Sequence, residues 1–551
     1  MKRSWINRSL LLAWAFIGCL SPAQDRDTIR EALQLEMARA VAGSKHAEEY
    51  LEIHRLLRAF EPDKVLQQLN DSQMSPNLVD LFRGWAYHQK GEYREALQYF
   101  HRLDEHADEF DDFMANRLVE LRRADEALLS FKTLETDNFS IRYQEGRDEV
   151  MTWFLPVVLE TALERLSATM KFEPKSKIII ELMPDYELFS YASALTKQQI
   201  ETTGTVALCV ENRVVVLTPR RVALGYYWPD VISHEFIHYV MTKTGGELIP
   251  LWFHEGVAKF FESTWETSVE VSLDPRLQDS LVDAFREDLF ITFEQMHPSF
   301  AALPTPKLAQ LAYAQSASMI EFLCDQRGTD IIPSMLRSLD SDNAIETQLQ
   351  IMFDTDIDGF IATWQNWAKA RGYVSSGHHE AEGVTLLDDD YTDPGLGQLD
   401  QEDEAIKKYT RLGDLLLERN RTAAALKEYR KALSEKDALM SRQMMLRLLI
   451  CYQRLNEGEA ILKLVEEQSD QWRLDPTLLK AMAGAYLMLD RLNEAKATLL
   501  QAVRVNPFDP KVHELRRQLA ERQSDQATLD QIQQIMERLA HRGDAKEPSK
   551  S

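Results

Sequence analysis

The chain has 551 residues, more than one hydrophobic core ordinarily serves, so two or three domains are expected. With 44% apolar residues it has a soluble, globular composition, and 63 Lys plus Arg against 88 Asp plus Glu give a net charge of -25. An acidic chain with no long basic run is unsuited to holding phosphates, which excludes nucleic acid and anionic membrane surfaces as expected partners.

The N-terminus has the three parts of an export signal: Lys2, Arg3 and Arg8, the apolar run Leu10 to Leu20, and Ser21-Pro22-Ala23. Residues 1–23 are therefore read as a signal peptide, with a mature start near Gln24 and a destination in the periplasm or cell envelope. Phe16-Ile17-Gly18-Cys19 is similar to a bacterial lipoprotein box, so a lipid anchor at Cys19 stands as the alternative to a free form. No later segment approaches the roughly 20 apolar residues of a membrane helix. The remaining cysteines, Cys209, Cys324 and Cys451, are scattered among apolar neighbours and imply no disulfide framework.

Residues 25–134 read as helical, with one tetratricopeptide-like repeat marked by Gly84, Tyr87, Gly91, Ala96 and Phe100. From 135 to 374 the pattern changes to an α+β domain, with β-rich stretches at Phe139 to Tyr143, Lys177 to Leu182 and Val206 to Leu217. Within it lies Ser233-His234-Glu235-Phe236-Ile237-His238-Tyr239, an H-E-x-x-H pattern in a segment expected to be helical. Four residues make just over one turn, so His234 and His238 project from one face and can share a metal, and Glu235 projects beside them as a base for water. Pro229-Asp230 suits the start of that helix and Gly245-Gly246 its end. A second helix after Pro250 brings Glu255, 17 positions beyond His238, as an anionic third ligand once the helices pack antiparallel. Two His and one Glu with an open fourth position is the coordination of a hydrolytic zinc centre, one Zn2+ per chain. His254, about 100° around the helix from Glu255, is expected to point elsewhere and not to ligate.

Ser375 to Glu404 carries Asp388-Asp389-Asp390 with Gly and Pro and reads as a flexible acidic linker, in which the His378-His379 pair is taken as solvated. Residues 405–525 repeat the N-terminal ladder as Gly413, Leu416, Asn420, Ala425 and Tyr429, and as Ala483, Tyr486, Asp490, Ala495 and Leu499. A weaker copy centred on Ala460 sets Ala425, Ala460 and Ala495 at a steady interval of 35 residues. These are the spacings of stacked tetratricopeptide repeats, whose concave face suits a protein partner. Residues 526–551 read as a C-terminal helix and polar tail.

H-E-x-x-H followed by W-F-x-E-G-x-A resembles the gluzincin peptidases, and particularly the bacterial peptidase MA-like domains often joined to tetratricopeptide repeats. The likeness covers about Phe139 to Leu339, including Tyr227-Trp228-Pro229-Asp230 and Ala312-Tyr313-Ala314-Gln315-Ser316-Ala317. It implies an α+β gluzincin-like metallopeptidase domain flanked by all-α helical repeats, with His234, His238 and Glu255 as zinc ligands and Glu235 as general base. It also implies Tyr313 as donor to a developing oxyanion, against the alternative of a ring packed in a helix. Lys259 stands where thermolysin-like enzymes place an acid to orient a zinc histidine, so the outer partners of the metal are not legible. The upstream strand region lacks the Gly-Ala-Met-Glu-Asn element that grips a free amine, which leaves exopeptidase action without support. The expected substrate is a peptide or protein. An envelope scaffold with a weakly active or inert zinc domain, and a zinc hydrolase of a non-peptide bond, are the competing readings.

Overall fold

The structure, a computed structural model, describes residues 47–103, 112–193, 195–246, 248–266, 273–296, 300, 303–340, 344–374, 386–387, 404–434, 440–467 and 474–540. The expected signal peptide with Cys19, the His378-His379 pair, the polar tail and nearly all of the expected linker lie outside the described residues. Two compact units separate, one of residues up to 218 with 229–384, the other of 219–228 with the chain from 385 onward. The N-terminal helices thus cluster with the α+β region. Among the described residues no helix is long and apolar enough to cross a membrane.

In the first unit, α1 (Pro76–Gln89) and α2 (Tyr93–Arg102) form a pair over a core that includes Phe82, Trp85 and Phe100. Gly84 sits against the Phe100 ring, where any side chain would collide. Helix α3 (Asp112–Leu128) leads into a five-stranded sheet of β1 (Lys132–Glu135), β2 (Phe139–Tyr143), β3 (Ile178–Met183), β4 (Ala207–Val210) and β5 (Arg213–Leu217) in the order β1-β2-β3-β5-β4. The three central strands run parallel, and β1 and β4 are antiparallel edges. Every residue of β3 and of β5 is buried, the signature of strands covered on both faces. The one acid in β3, Glu181, is neutralised by Arg213 at 3.0 Å and Arg142 at 3.4 Å and accepts from the Tyr93 hydroxyl.

The helix Leu155–Met170 turns a stripe of Val158, Leu159, Ala162, Leu163 and Leu166 inward. The helix α4 (Trp228–Gly245) meets β2 through Phe236, whose ring stands edge-on to Phe139 with centroids 5.5 Å apart. Gly246, at φ 72, follows it, and α5 (Leu251–Phe261) starts after Pro250. Helix α6 (Pro306–Arg327) packs on α5 so closely that a Cβ on Gly256 would lie 2.7 Å from the Ser316 carbonyl oxygen. Only hydrogen in place of a side chain permits that approach, which brings the helix carrying Tyr313 beside the one carrying Glu255.

The second unit is a run of helix pairs: Glu404–Glu418 with Thr422–Ser434, Arg442–Arg454 with Gly458–Glu466, Pro476–Met488 with Leu492–Val505, and Pro510–Gln523 with Gln526–Ala540. Each pair turns through a left-handed residue, Asn420, Asn456, Asp490 and Ser524, at φ 57, 55, 56 and 56. Gly413 meets Tyr429 as Gly84 meets Phe100. The segment 219–228 belongs to this unit: the Trp228 indole N–H donates to Val503 O at 3.1 Å and Tyr226 N–H to Val505 O at 3.2 Å. Leu386 bridges Val222, and Leu387 N–H donates to Arg221 O at 2.8 Å, so this part of the expected linker lies against the chain.

Because the Gly256 contact is with backbone, relief requires the helices to part. Gly256→Ala is expected to lower stability by about 1–3 kcal/mol, read as a shift of the urea midpoint at constant m-value. An unchanged midpoint would mean that α5 and α6 are not held at this distance.

Candidate metal centre

Helix α4 presents His234 and His238 on one face, their rings edge to face with centroids 4.7 Å apart. Helix α5 returns alongside and delivers Glu255. Its Oε2 stands 3.4 Å from His234 Nε2 and 3.6 Å from His238 Nε2, and the three donor atoms all lie within 4.8 Å of one another. Three donors on a tetrahedral ion with bonds of about 2.0–2.1 Å stand about 3.3 Å apart. Both imidazoles aim Nε2 at one carboxylate oxygen at that separation, so the donor set fits a metal ion of this kind.

The outer partner illegible in the sequence is Glu262. Its Oε2 faces His234 Nδ1 at 3.2 Å, which leaves Nε2 as the atom free to ligate. Lys259, the residue that departs from the thermolysin pattern, holds Glu262 at 2.8 Å. Glu262 lies seven residues beyond Glu255, two helical turns and hence the same face, a spacing that would have found it. Asp230, near the start of α4, accepts from the Trp265 indole at 2.6 Å and Ser263 Oγ at 3.1 Å, tying down the 3-10 turn Glu262–Trp265. Burial and the nearby Glu262 push the Asp230 carboxyl up to about 6.

The carboxylates favour positive charge at this centre. Burial opposes charge on His234, yet Glu255, Glu262 and Glu235 around it raise its pKa to about 10. Burial likewise opposes ionisation of Glu255, but the two imidazoles hold its carboxyl well below the usual range. Glu235 is raised, first by burial and also by Glu255, against the pull of both histidines. Its Oε2 accepts from the Cys209 backbone N–H of β4 at 2.7 Å, a contact that sequence did not signal.

His254 does not point away from the site, as helical angle alone had suggested: its ring stacks on His238 at 4.2 Å and 24°. It remains outside the donor group. Burial, then the neighbouring His238, lowers its pKa to about 3, so it stands as a neutral wall behind the second imidazole. Tyr313 lies on α6 with its ring edge-on to Phe300 at 4.8 Å. Burial raises its pKa well above the usual value, with further contributions from Glu255, Glu235 and Glu262, which places it in the field of all three carboxylates.

Residues 162–370 match the family model described as Peptidase MA superfamily, a span that contains every residue of this centre. That match supports a gluzincin-like peptidase domain here. No curated protein matches the chain.

A ligating imidazole must give up its proton, and His234 keeps one to about pH 10 when Glu255 and Glu262 face it. Zinc binding is therefore expected to release about one proton between pH 7 and 9, with apparent affinity rising about tenfold per pH unit. Calorimetry in buffers of different ionisation enthalpy measures this, and pH-independent affinity would contradict it. Glu262→Gln is expected to weaken zinc binding by about 10- to 100-fold.

Proposed function

We propose that the chain is a zinc-dependent peptidase in which His234, His238 and Glu255 hold the metal and Glu235 moves the protons. The observation that carries this reading is the convergence of both Nε2 atoms on Glu255 at 3.4 and 3.6 Å, with Glu235 on the intervening turn. Zinc, when bound, supplies Lewis acidity toward water and a peptide carbonyl. Glu235 accepts a proton from the attacking water and returns it to the leaving amine, a task helped by a carboxyl that burial has raised above its ordinary value. Glu262 fixes the tautomer of His234, and Tyr313 donates its hydroxyl to the carbonyl oxygen as negative charge develops. Strand β4, paired among the described residues on one side only, by β5, offers the outer edge along which an extended peptide can lie.

The helix pairs on either side are read as tetratricopeptide-type repeats that recruit a protein substrate or partner. The left-handed residues at 420, 456, 490 and 524, recurring every 34 to 36 positions, support the periodicity of the C-terminal set. The charged and apolar N-terminus supports export to the periplasm or envelope, with Cys19→Ser separating a lipid-anchored from a free form by fractionation.

Proteolysis of a denatured-protein panel by zinc-loaded chain tests the reading. Glu235→Gln is expected to keep its metal and lose hydrolysis, while His234→Ala, His238→Ala or Glu255→Ala loses both. Tyr313→Phe is expected to lower kcat about a hundredfold with little change in KM. Hydrolysis that survives in Glu235→Gln would remove that residue from the mechanism, and full activity in Tyr313→Phe would return Tyr313 to packing.

A further inference from the structure

The N-terminal pair α1–α2 reaches the tip of the hairpin that borders the metal centre. Strands β4 and β5 are joined by two residues, Glu211 and Asn212, both left-handed at φ 49 and 68. The last turn of α1 seizes that tip by three groups. His88 Nε2 lies 2.7 Å from Glu211 Oε2, Trp85 Nε1–H donates to Glu211 Oε1 at 3.4 Å, and Asn212 Nδ2–H donates to the Gln89 carbonyl at 3.0 Å. The His88 approach to Glu211 is off the hydrogen-bonding direction and acts as a charge contact.

His88 is itself fixed from behind by Asp125 of α3, its Nδ1 being 2.7 Å from Asp125 Oδ1. The charged groups around it are Asp125, Glu211 and Arg213, the last extending 3.5 Å from Glu211 and 3.0 Å from Glu181, and the Tyr93 ring lies 5.7 Å from its own. Burial and Arg213 both disfavour charge on His88, but Asp125 and Glu211 together raise its pKa above the ordinary value. The side chains of His88, Asp125 and Arg213 are fully buried.

Two residues from this tip, about 7 Å along an extended strand, the Cys209 N–H donates to Glu235 at 2.7 Å. Cys209 lies opposite Val214 in the register, and among the described residues β4 has no strand on its other side. The position of that edge over α4 is thus set at one end by the grip on Glu211 and Asn212.

We infer that His88 is a positioning residue: acting through Glu211, it clamps the β4–β5 hairpin so that the β4 edge stays in register with Glu235 and with an extended peptide laid along it. The N-terminal helices then belong to the working site. This rests on the peptidase reading only where peptides are concerned; the clamp itself has a readout that needs no hydrolysis.

The test uses the full chain with His88→Gln and Glu211→Gln, measuring hydrogen exchange at 207–210, zinc affinity, and kcat and KM on an extended peptide. Both variants are expected to speed exchange at 207–210 at least tenfold and to raise KM about tenfold, with kcat changing less and zinc affinity unchanged. Loss of folded protein alone would lower kcat and spare KM. If His88→Gln does not fold, Asn212→Gly, which keeps the left-handed turn and removes only the bond to Gln89, is expected to act in the same direction more weakly. Exchange at 207–210 that stays at the wild-type rate in folded variants, or that rises equally in every strand, overturns the clamp. Faster exchange confined to 207–210 in a chain that cleaves nothing supports the clamp and sinks the peptidase reading instead.

Discussion

Three carboxylates, Glu262 buried and Glu235 and Glu255 half-buried, meet two imidazoles at the crossing of α4 and α5, and the surrounding structure follows from the need to hold that charge together. Burial of unbalanced carboxylates is costly, and here balance comes from His234 and Lys259, with a metal ion as the natural completion. The crossing depends on a helix ended at Gly246, on a second begun after Pro250, and on Gly256, which lets α6 approach to backbone contact. The sheet supplies the other wall, since Phe236 packs on Phe139 while Glu235 on the same helix reaches the edge strand.

The cluster of His234, His238 and Glu255 was legible because its geometry is local. His234, Glu235 and His238 lie within two turns of helix, and Glu255 follows after one break. Glu262 was not legible because the position one turn beyond Glu255 holds Lys259, and the acid stands two turns on instead. His254 was misplaced because helical angle gives a direction and not the neighbour that fills it, which here is the ring of His238. The grip of His88 on Glu211 joins residues 123 positions apart, and no local pattern announces it.

The same distinction runs through the fold. The stretch at Lys177 to Leu182 overlaps β3 because a buried parallel strand is almost wholly apolar, whereas β2, Phe139-Ser140-Ile141-Arg142-Tyr143, buries Phe139, Ser140 and Ile141 and leaves Arg142 and Tyr143 half-buried. Strand β1, Lys132-Thr133-Leu134-Glu135, has only Leu134 half-buried and carries little apolar signal. The stretch Val206 to Leu217 is a hairpin, its turn formed by Glu211 and Asn212 in a left-handed conformation that Asn tolerates and Glu does not advertise. The expected linker hides another non-local contact, since Leu386 and Leu387 pair with Val222 and Arg221.

The central claim is that two imidazoles and one carboxylate bind a zinc ion. X-ray absorption at the zinc edge of the purified full chain tests it most directly. The account predicts one zinc per chain, with two imidazole nitrogens and light oxygen donors at about 2.0–2.1 Å and no sulfur. Sulfur scattering near 2.3 Å, or a zinc signal that persists unchanged in Glu255→Ala, would contradict it.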